Sequence, residues 1–533
     1  MLSELWANPL FCFFLVVSLG LALGRLRIGG LSLEAAGVLF AGLLLGHWGG
    51  TVPEVFLPWG QVLFIFAIGM QSGPGLITAF RRHGWKMMGV ALPVILTGAA
   101  VTLLAARLMD LDMNLATGLF AGGLTSTPGL AAAVEVTGSP LASVGYGAAY
   151  PVGVLSVIVF VRLMPQLLKW NMAKAEVAFQ QESHEHYPRL SHRNFIVQNP
   201  SLLQKSLGAL DIPGMTGATI SRVFHTENSL APSPEIRLEL GDLVKAVGSD
   251  EALEKVRLLV GPVTTKKITF THNYCAKWVL VSNRKNVNRS LAELHLLPEN
   301  RITVTRIRRS GVDIQPGPTD RLRLGDRLRV VCHTDQLDWV VGALGNTVQQ
   351  LVTTDLLPVF LGLTLGVLMG CISIPLPGLP PFKLGLTGGV LVSALLLSRR
   401  VRTGPIVWSL SPQANQLLRE LGLVAFLAVV GTQAGGQIAG LLAQHGWMLM
   451  VAALGIAILP MIVGVLIGRR VFRMNPLSLL GVLTGAMTST PGLGAAQENS
   501  RSSAPSVAYA TIYPLAMVAM IILARLLGGL GAG

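Results

Sequence analysis

Charge is what this sequence has least of. Only 13% of its 533 residues are Asp, Glu, Lys or Arg, against about 25% in a soluble globular chain. Hydrophobic residues make up 51% and the mean hydropathy is +0.59. With apolar runs close to the roughly 20 residues that cross a bilayer, this excludes an ordinary soluble domain and makes the chain a polytopic membrane protein, with the lipid bilayer as its first partner. Cysteine is also scarce. Cys12, Cys275, Cys332 and Cys371 are scattered, with no CxxC or Cys/His spacing, so neither a metal site nor a disulfide framework is expected. HExxH, GxSxG and P-loop signatures are missing, and no catalytic residue, metal or cofactor is expected. No basic residue precedes the first apolar run, while Glu4 does, which argues against a cleaved signal peptide and for a retained first helix.

The charge that is present is uneven. Residues 169–350 hold 24 of the 41 Lys and Arg and 18 of the 27 Asp and Glu. A soluble insert therefore interrupts the membrane protein, and its small positive excess is too balanced to suggest nucleic acid. The chain divides into a first transmembrane repeat at 1–168, a linker at 169–190, two small tandem α+β domains at 191–262 and 263–350, and a second, inverted transmembrane repeat at 351–533. Candidate spans lie at about 9–26, 31–47, 61–80, 86–107 and 141–164, then at about 355–372, 384–398, 419–442, 447–468 and 505–527. Each half adds one broken segment, at 114–137 and 477–498.

Those broken segments carry the same hexamer, Thr125-Ser126-Thr127-Pro128-Gly129-Leu130 and Thr488-Ser489-Thr490-Pro491-Gly492-Leu493, 363 positions apart. At the same offset Tyr146 and Tyr150-Pro151 match Tyr509 and Tyr513-Pro514, and Glu135 matches Glu498. Gly69-Met-Gln71 matches Gly431-Thr-Gln433 at an offset of 362. If each broken segment returns to the side it entered from, Arg25, Arg27, Arg81, Arg82, Lys86 and Lys169 fall inside, as do Arg399, Arg400, Arg402, Arg469, Arg470 and Arg473. The insert is then cytoplasmic and both termini lie outside. Five crossings per half invert the second half relative to the first, a pattern of secondary transporters. The fold class that follows is an all-α polytopic membrane protein with inverted five-span repeats and re-entrant broken helices, plus an α+β insert.

Each hexamer reads as a helix start. Thr127 and Thr490 would be N-caps with Pro128 and Pro491 at the first helical position, and the prolines end any incoming helix. The N–H groups of Gly129, Leu130 and Ala131, and of Gly492, Leu493 and Gly494, would then point unpaired into the break, where a helix N-terminus suits an anion. Thr125, Ser126, Thr488 and Ser489 would add hydroxyls. A packing kink is the plainer reading of one such break; duplication in an inverted repeat favours a substrate site. Tyr150 and Tyr513 would place a ring and hydroxyl at a cavity wall beside a second kink. Gln71 and Gln433, within apolar runs, would line the site or bridge helices. Glu135 and Glu498 are possible coupling residues, or else exposed carboxylates, with Arg501 placed to pair with Glu498. No Lys or Arg sits mid-span.

The insert has its own repeat at a spacing of 84: Ser206-Leu207 with Ser290-Leu291, Ser221-Arg222-Val223 with Thr305-Arg306-Ile307, and Leu240-Gly241-Asp242 with Leu324-Gly325-Asp326. The Gly-Asp pairs read as hairpin turns, and no Gly-rich nucleotide fingerprint is present.

On the duplicated TSTPGL hexamers, the matched Tyr-Pro pairs and the paired insert domains with Leu-Gly-Asp turns, the sequence resembles the aspartate:alanine exchanger (AspT-type) transporter family over nearly its whole length. The inserts look like the C-terminal ligand-binding domain of Trk-type and potassium-conductance (RCK) regulators. The resemblance implies a bacterial inner-membrane antiporter for a small anionic substrate such as aspartate, alanine or succinate. It also implies a homodimer and a regulatory ligand for the insert domains. The alternatives are a cation/proton antiporter and an RCK-type ligand-gated channel.

Overall fold

The computed structural model describes residues 6–28, 31–32, 35–79, 84–186, 190–203, 205–225, 228–266, 274–296, 302–309, 312–347, 355–376, 379–498 and 502–530. Arg81, Arg82 and Arg501 lie outside them. Two compact units result. One is Met1–Phe179 with Asp355–Arg400 and Pro412–Gly533; the other is Gln180–Thr354 with Val401–Ser411.

The first unit is helical. Its first half runs α1 (Pro9–Arg25), α2 (Ala36–His47), α3 (Phe56–Ala79), α4 (Trp85–Leu108), α5 (Met113–Gly123), α6 (Thr127–Thr137) and α7 (Pro140–Leu167). Helix α8 (Met172–His186) follows, packing Met172, Ala175 and Phe179 against Leu477 and Ala504. The caps are local. Asn8 accepts from Leu10 N and Phe11 N, and Ser139 accepts from Leu141 N ahead of Pro140. The expected span at 31–47 is a helix of only 12 residues, because the apolar run begins in the hairpin Arg27–Ile28/Leu31–Ser32.

The insert unit holds two antiparallel sheets. Strands β1 (Ser191–Ile196), β2 (Thr219–His225), β3 (Asn228–Leu230), β4 (Leu243–Gly248) and β5 (Val263–Thr264) form the first, in the order β3-β2-β4-β1-β5, packed by α9 (Asp250–Val260). Strands β6 (Tyr274–Leu280), β7 (Thr303–Arg309), β8 (Val312–Ile314) and β9 (Arg327–His333) form the second, in the order β8-β7-β9-β6, packed by α10 (Leu337–Leu344). Gly241 and Gly325 sit at φ +90° and +87°. Only glycine takes that left-handed turn without strain. The aspartate after each glycine is buried and tied to the equivalent residue of its own sheet. Asp242 bonds His225 Nδ1 at 2.9 Å, and Asp326 pairs with Arg309 Nη2 at 2.7 Å. The cysteines scattered in sequence include a cross-strand pair, Cys275 and Cys332, with sulfurs 4.0 Å apart. Burial and the neighbouring thiol push Cys332 up to about 12.

The second membrane half repeats the first: α11 (Leu357–Gly370), α12 (Gly385–Arg400), α13 (Pro412–Arg470), α14 (Pro476–Ala486), α15 (Thr490–Glu498) and α16 (Ala504–Gly529). Helix α13 has 59 residues. At about 1.5 Å per residue it is near 90 Å long, against a hydrocarbon core of about 30 Å. Two stretches of it, Pro412–Leu441 and Ala443–Arg470, are each long and apolar enough to cross a membrane. The halves interlock through glycine. A side chain at Gly431 on α13 would meet Leu39 O and Gly42 on α2, and one at Gly69 on α3 would meet Ala394 and Leu391 on α12. Small residues let helix backbones approach this closely in a membrane, where packing rather than water exclusion drives association. In the matched Gly-x-Gln motifs, the glycine is the residue that packs.

Candidate functional site

Both hexamers break their helices as expected, one residue earlier than expected. Helix α5 ends at Gly123, Thr125 turns left-handed at φ 54°, and α6 restarts with Ser126 as N-cap. Ser126 Oγ accepts from Gly129 N at 3.1 Å, and its carbonyl accepts from Leu130 N at 2.9 Å. The second copy repeats this. Thr488 has φ 51°, Ser489 Oγ accepts from Gly492 N at 3.1 Å, and its carbonyl takes Leu493 N at 3.0 Å. Thr127 and Thr490 are thus the first helical residues rather than the caps. The expectation that Gly129 and Leu130, or Gly492 and Leu493, present free N–H groups is corrected. The serine cap and the start of the helix ladder consume them.

The two breaks hold each other. Thr125 Oγ1 donates to Met487 O at 2.7 Å, and Thr488 Oγ1 donates to Leu124 O at 3.1 Å. These hydroxyls satisfy carbonyls freed by the partner break. Thr127 and Thr490 pair instead with tyrosines, Tyr146 at 3.2 Å and Tyr509 at 3.3 Å. Those rings stack on Tyr150 and Tyr513, with centroids 5.2 and 5.1 Å apart. Helices α7 and α16 run unbroken through Pro151 and Pro514, so the Tyr-Pro pairs make no second break.

A cavity of about 460 Å³ opens where the breaks meet. Its walls include Thr125, Thr127, Pro128 and Tyr150 from one half and Thr488, Ser489, Thr490, Pro491 and Tyr513 from the other. The buried Ser126, Gly129 and Gly492 stand behind this wall rather than in it. Gln71 and Gln433 are exposed and do not line the cavity. The charged groups in the wall are Arg25, Arg419 and Glu420. Arg419 is half-buried and makes no ion pair among the described residues, whereas Glu420 accepts from Gln416 at 2.8 Å. Arg419 lies toward the N-terminal end of its span, Pro412–Leu441, and not at its middle. Helix α13 begins at Pro412, which puts Arg419 two turns inside it. Its counterpart in α3, at the same offset of 362 that relates Gly69 to Gly431, is Leu57, so no repeat signal marked it.

The matched glutamates diverge. Glu135 is 19% exposed and pairs with Arg525 at 3.0 Å. It also accepts from Leu386 N at 2.6 Å, Thr387 N at 2.9 Å, Thr387 Oγ1 at 2.6 Å and Gln61 Nε2 at 3.3 Å. Gln61 further bonds Thr387 Oγ1 and, at 3.2 Å, Ala131 O. Glu135 thus docks the end of α6 onto the N-terminus of α12, where a carboxylate is favoured, and is no exposed loop end. Glu498 is 64% exposed and, among the described residues, pairs with Arg162 at 2.7 Å. Arg162 and Arg525 are themselves 363 apart. That signal was present at the hexamer offset, yet a lone arginine near a span end reads as a membrane flank.

Residues 12–166 and 358–528 match a family model described as a predicted permease membrane region, Asp-Al_Ex. Residues 194–261 and 278–340 each match the TrkA-C domain. An uncharacterized transporter of Bacteroides fragilis is 42% identical over 98% of both chains. One of Bacteroides thetaiotaomicron is 41% identical over 98% of both. One of Desulfotalea psychrophila is 34% identical over 98% of this chain and 96% of its own. A crystal structure of the GsuK RCK domain aligns with 30% of this chain and 64% of its own at 11% identity, with a TM-score of 0.16, too low to bear on the fold. The membrane match covers most of the chain and the full-length relatives agree with it: the chain belongs to the Asp-Al_Ex family of predicted permeases, and is a membrane transporter carrying two TrkA-C domains.

Proposed function

We propose that this transporter is an antiporter that exchanges small organic anions, amino acids or dicarboxylates, by alternating access in a bacterial inner membrane. The observation that carries the reading is the cavity between the two hexamers, with Arg419 in its wall and in no ion pair among the described residues. A guanidinium presents a planar fork that matches a carboxylate. The hydroxyls of Thr127 and Thr490 and of Tyr150 and Tyr513 supply the polar contacts that fix orientation. The serine caps occupy the helix N-termini, so the positive charge for an anion comes from arginine rather than from backbone N–H groups. Two arginines against one glutamate in the wall favour an anion over a coupling cation.

The unequal glutamates fit alternating access. Glu135 latches α6 to the start of α12, while among the described residues Glu498 pairs only with Arg162. In the opposite state Glu498 takes the start of α2 at Ala35, the residue that corresponds to Thr387 when Gly37-Val-Leu39 is set on Gly389-Val-Leu391. Ala35 and Ala36 line the cavity, so that docking closes it from the other side. The arginine distribution supports a cytoplasmic insert with both termini outside, and the working unit is a homodimer.

The test is counterflow in proteoliposomes. Labelled aspartate or succinate enters only when unlabelled substrate is inside, and Arg419→Gln lowers the exchange rate at least about a hundredfold while the protein keeps its elution profile and Tm. Full exchange by Arg419→Gln overturns the site. Current without substrate on the far side overturns exchange in favour of a channel.

A further inference from the structure

The insert holds a recess of about 240 Å³. Its walls come in pairs at the spacing of 84: Ser221 with Thr305, Arg222 with Arg306, Lys245 with Arg329, and Val247 with Val331. His192 with its counterpart Ala276, and Trp278, complete it. The recess lies between the sheets, which are tied by Arg306 Nη2 donating to Leu190 O at 2.9 Å and by Gln315 donating to Gly217 O. Each domain thus brings the same two cationic positions to one shared place.

Three arginines, a lysine and a histidine in so small a space is an arrangement that costs folding free energy unless something answers it. Asp313 answers part, pairing with Arg306 at 2.8 Å. Lys245 and Arg329 have no ion pair among the described residues; Arg329 lies over the Trp278 ring at 5.8 Å. Burial, then Arg222 and Arg329, hold the Lys245 ammonium below its ordinary range. Burial, then Lys245, Arg306 and Arg222, do the same to His192. The buried hydroxyls of Ser221 and Thr305 add short polar contacts.

We propose that this recess binds a compact phosphate polyanion, shared between the two TrkA-C domains by Arg222 and Lys245 of one and Arg306 and Arg329 of the other. Arginine forks and a lysine point charge are the groups that hold phosphate. The volume lies below the roughly 300–1,000 Å³ typical of larger ligands, which sets the ligand's size. Trp278 is already covered by Arg308, 4.8 Å from its ring, so stacking of a base on that face is not part of the site. The bound anion holds the two domains together, because neither domain alone supplies the full charge.

The probe is inorganic pyrophosphate, added to the purified full-length protein in detergent and followed by thermal shift and calorimetry. A saturable rise in Tm is expected, weakening as salt increases. In R222Q/R329Q the apparent affinity falls about tenfold or more, while the ligand-free Tm stays level or rises because repulsion has been removed. Where that double variant does not fold, K245Q carries the same expectation. R419Q, in the membrane cavity, keeps the full response, which separates this site from the transport reading. The proposal is overturned by no saturable shift, by a shift retained in R222Q/R329Q or K245Q, or by a shift lost in R419Q.

Discussion

Glu135 and Glu498 occupy the same position in two copies of one sequence, yet one is clamped and the other is nearly bare. Glu135 meets two backbone N–H groups, a hydroxyl, an amide and a guanidinium; Glu498 meets, among the described residues, one guanidinium at the surface. The hexamers beside them are close to superimposable in chemistry, with the same serine cap, the same threonine brace and the same tyrosine stack. Symmetry therefore holds at the centre of the transporter and fails at its ends. A rigid substrate site flanked by two gates in opposite states has that distribution. Differences in primary sequence reinforce it. Gln61, which buttresses the closed latch, has Leu423 as its counterpart.

The comparison breaks most visibly if the latches are removed one at a time. Glu135→Gln is expected to lower exchange at least about tenfold and to destabilise the protein by about 3 kcal/mol, since it strips a mostly buried charge from Arg525. Glu498→Gln, at a surface pair, is expected to cost under about 1 kcal/mol. Parallel counterflow and denaturation of the two variants check this, and equal losses would mean the asymmetry has no energetic content. Thr125→Val and Thr488→Val probe the symmetric centre. Each leaves one buried carbonyl unbonded, at about 1–3 kcal/mol, and the two losses should agree within about 0.5 kcal/mol. Leu423→Gln supplies the missing amide to the open side. It should shift cysteine accessibility at Ala35 toward protection without lowering stability, and unchanged accessibility would refute the gate.

The smallest expected effect lies in the insert, where His192 faces Lys245, Arg306 and Arg222 while its counterpart is Ala276. Its folded pKa is held below the ordinary value, so the unfolded chain binds the proton first. Stability is present above about pH 6.5 and declines as pH falls through that value. His192→Ala should flatten this slope in Tm against pH, and an unchanged slope would assign it to other groups.

How much of this was legible beforehand differs by residue. The hexamer breaks and the α+β insert follow from proline, apolar run length and charge density, which act locally. Ser126 rather than Thr127 caps α6 because Thr125 turns left-handed, so that the serine oxygen reaches the N–H of Gly129. No rule of residue order specifies that choice between neighbouring hydroxyls. Arg419 was hidden because it has no repeat partner. Gln71 and Gln433 misled because polarity inside an apolar run signals importance without direction, and the glycines two positions earlier carry the contact.

Sequence alone determined that this chain is a duplicated membrane protein with a charged insert, because hydropathy, charge and exact spacing are properties of the chain itself. Tertiary structure alone decided which hydroxyls are consumed by the fold and which face the cavity, and which of two identical glutamates is latched. Those outcomes depend on what lies across the gap: Met487 O for Thr125, and the start of α12 for Glu135. Such a partner, hundreds of residues away, is chosen by packing rather than by local order.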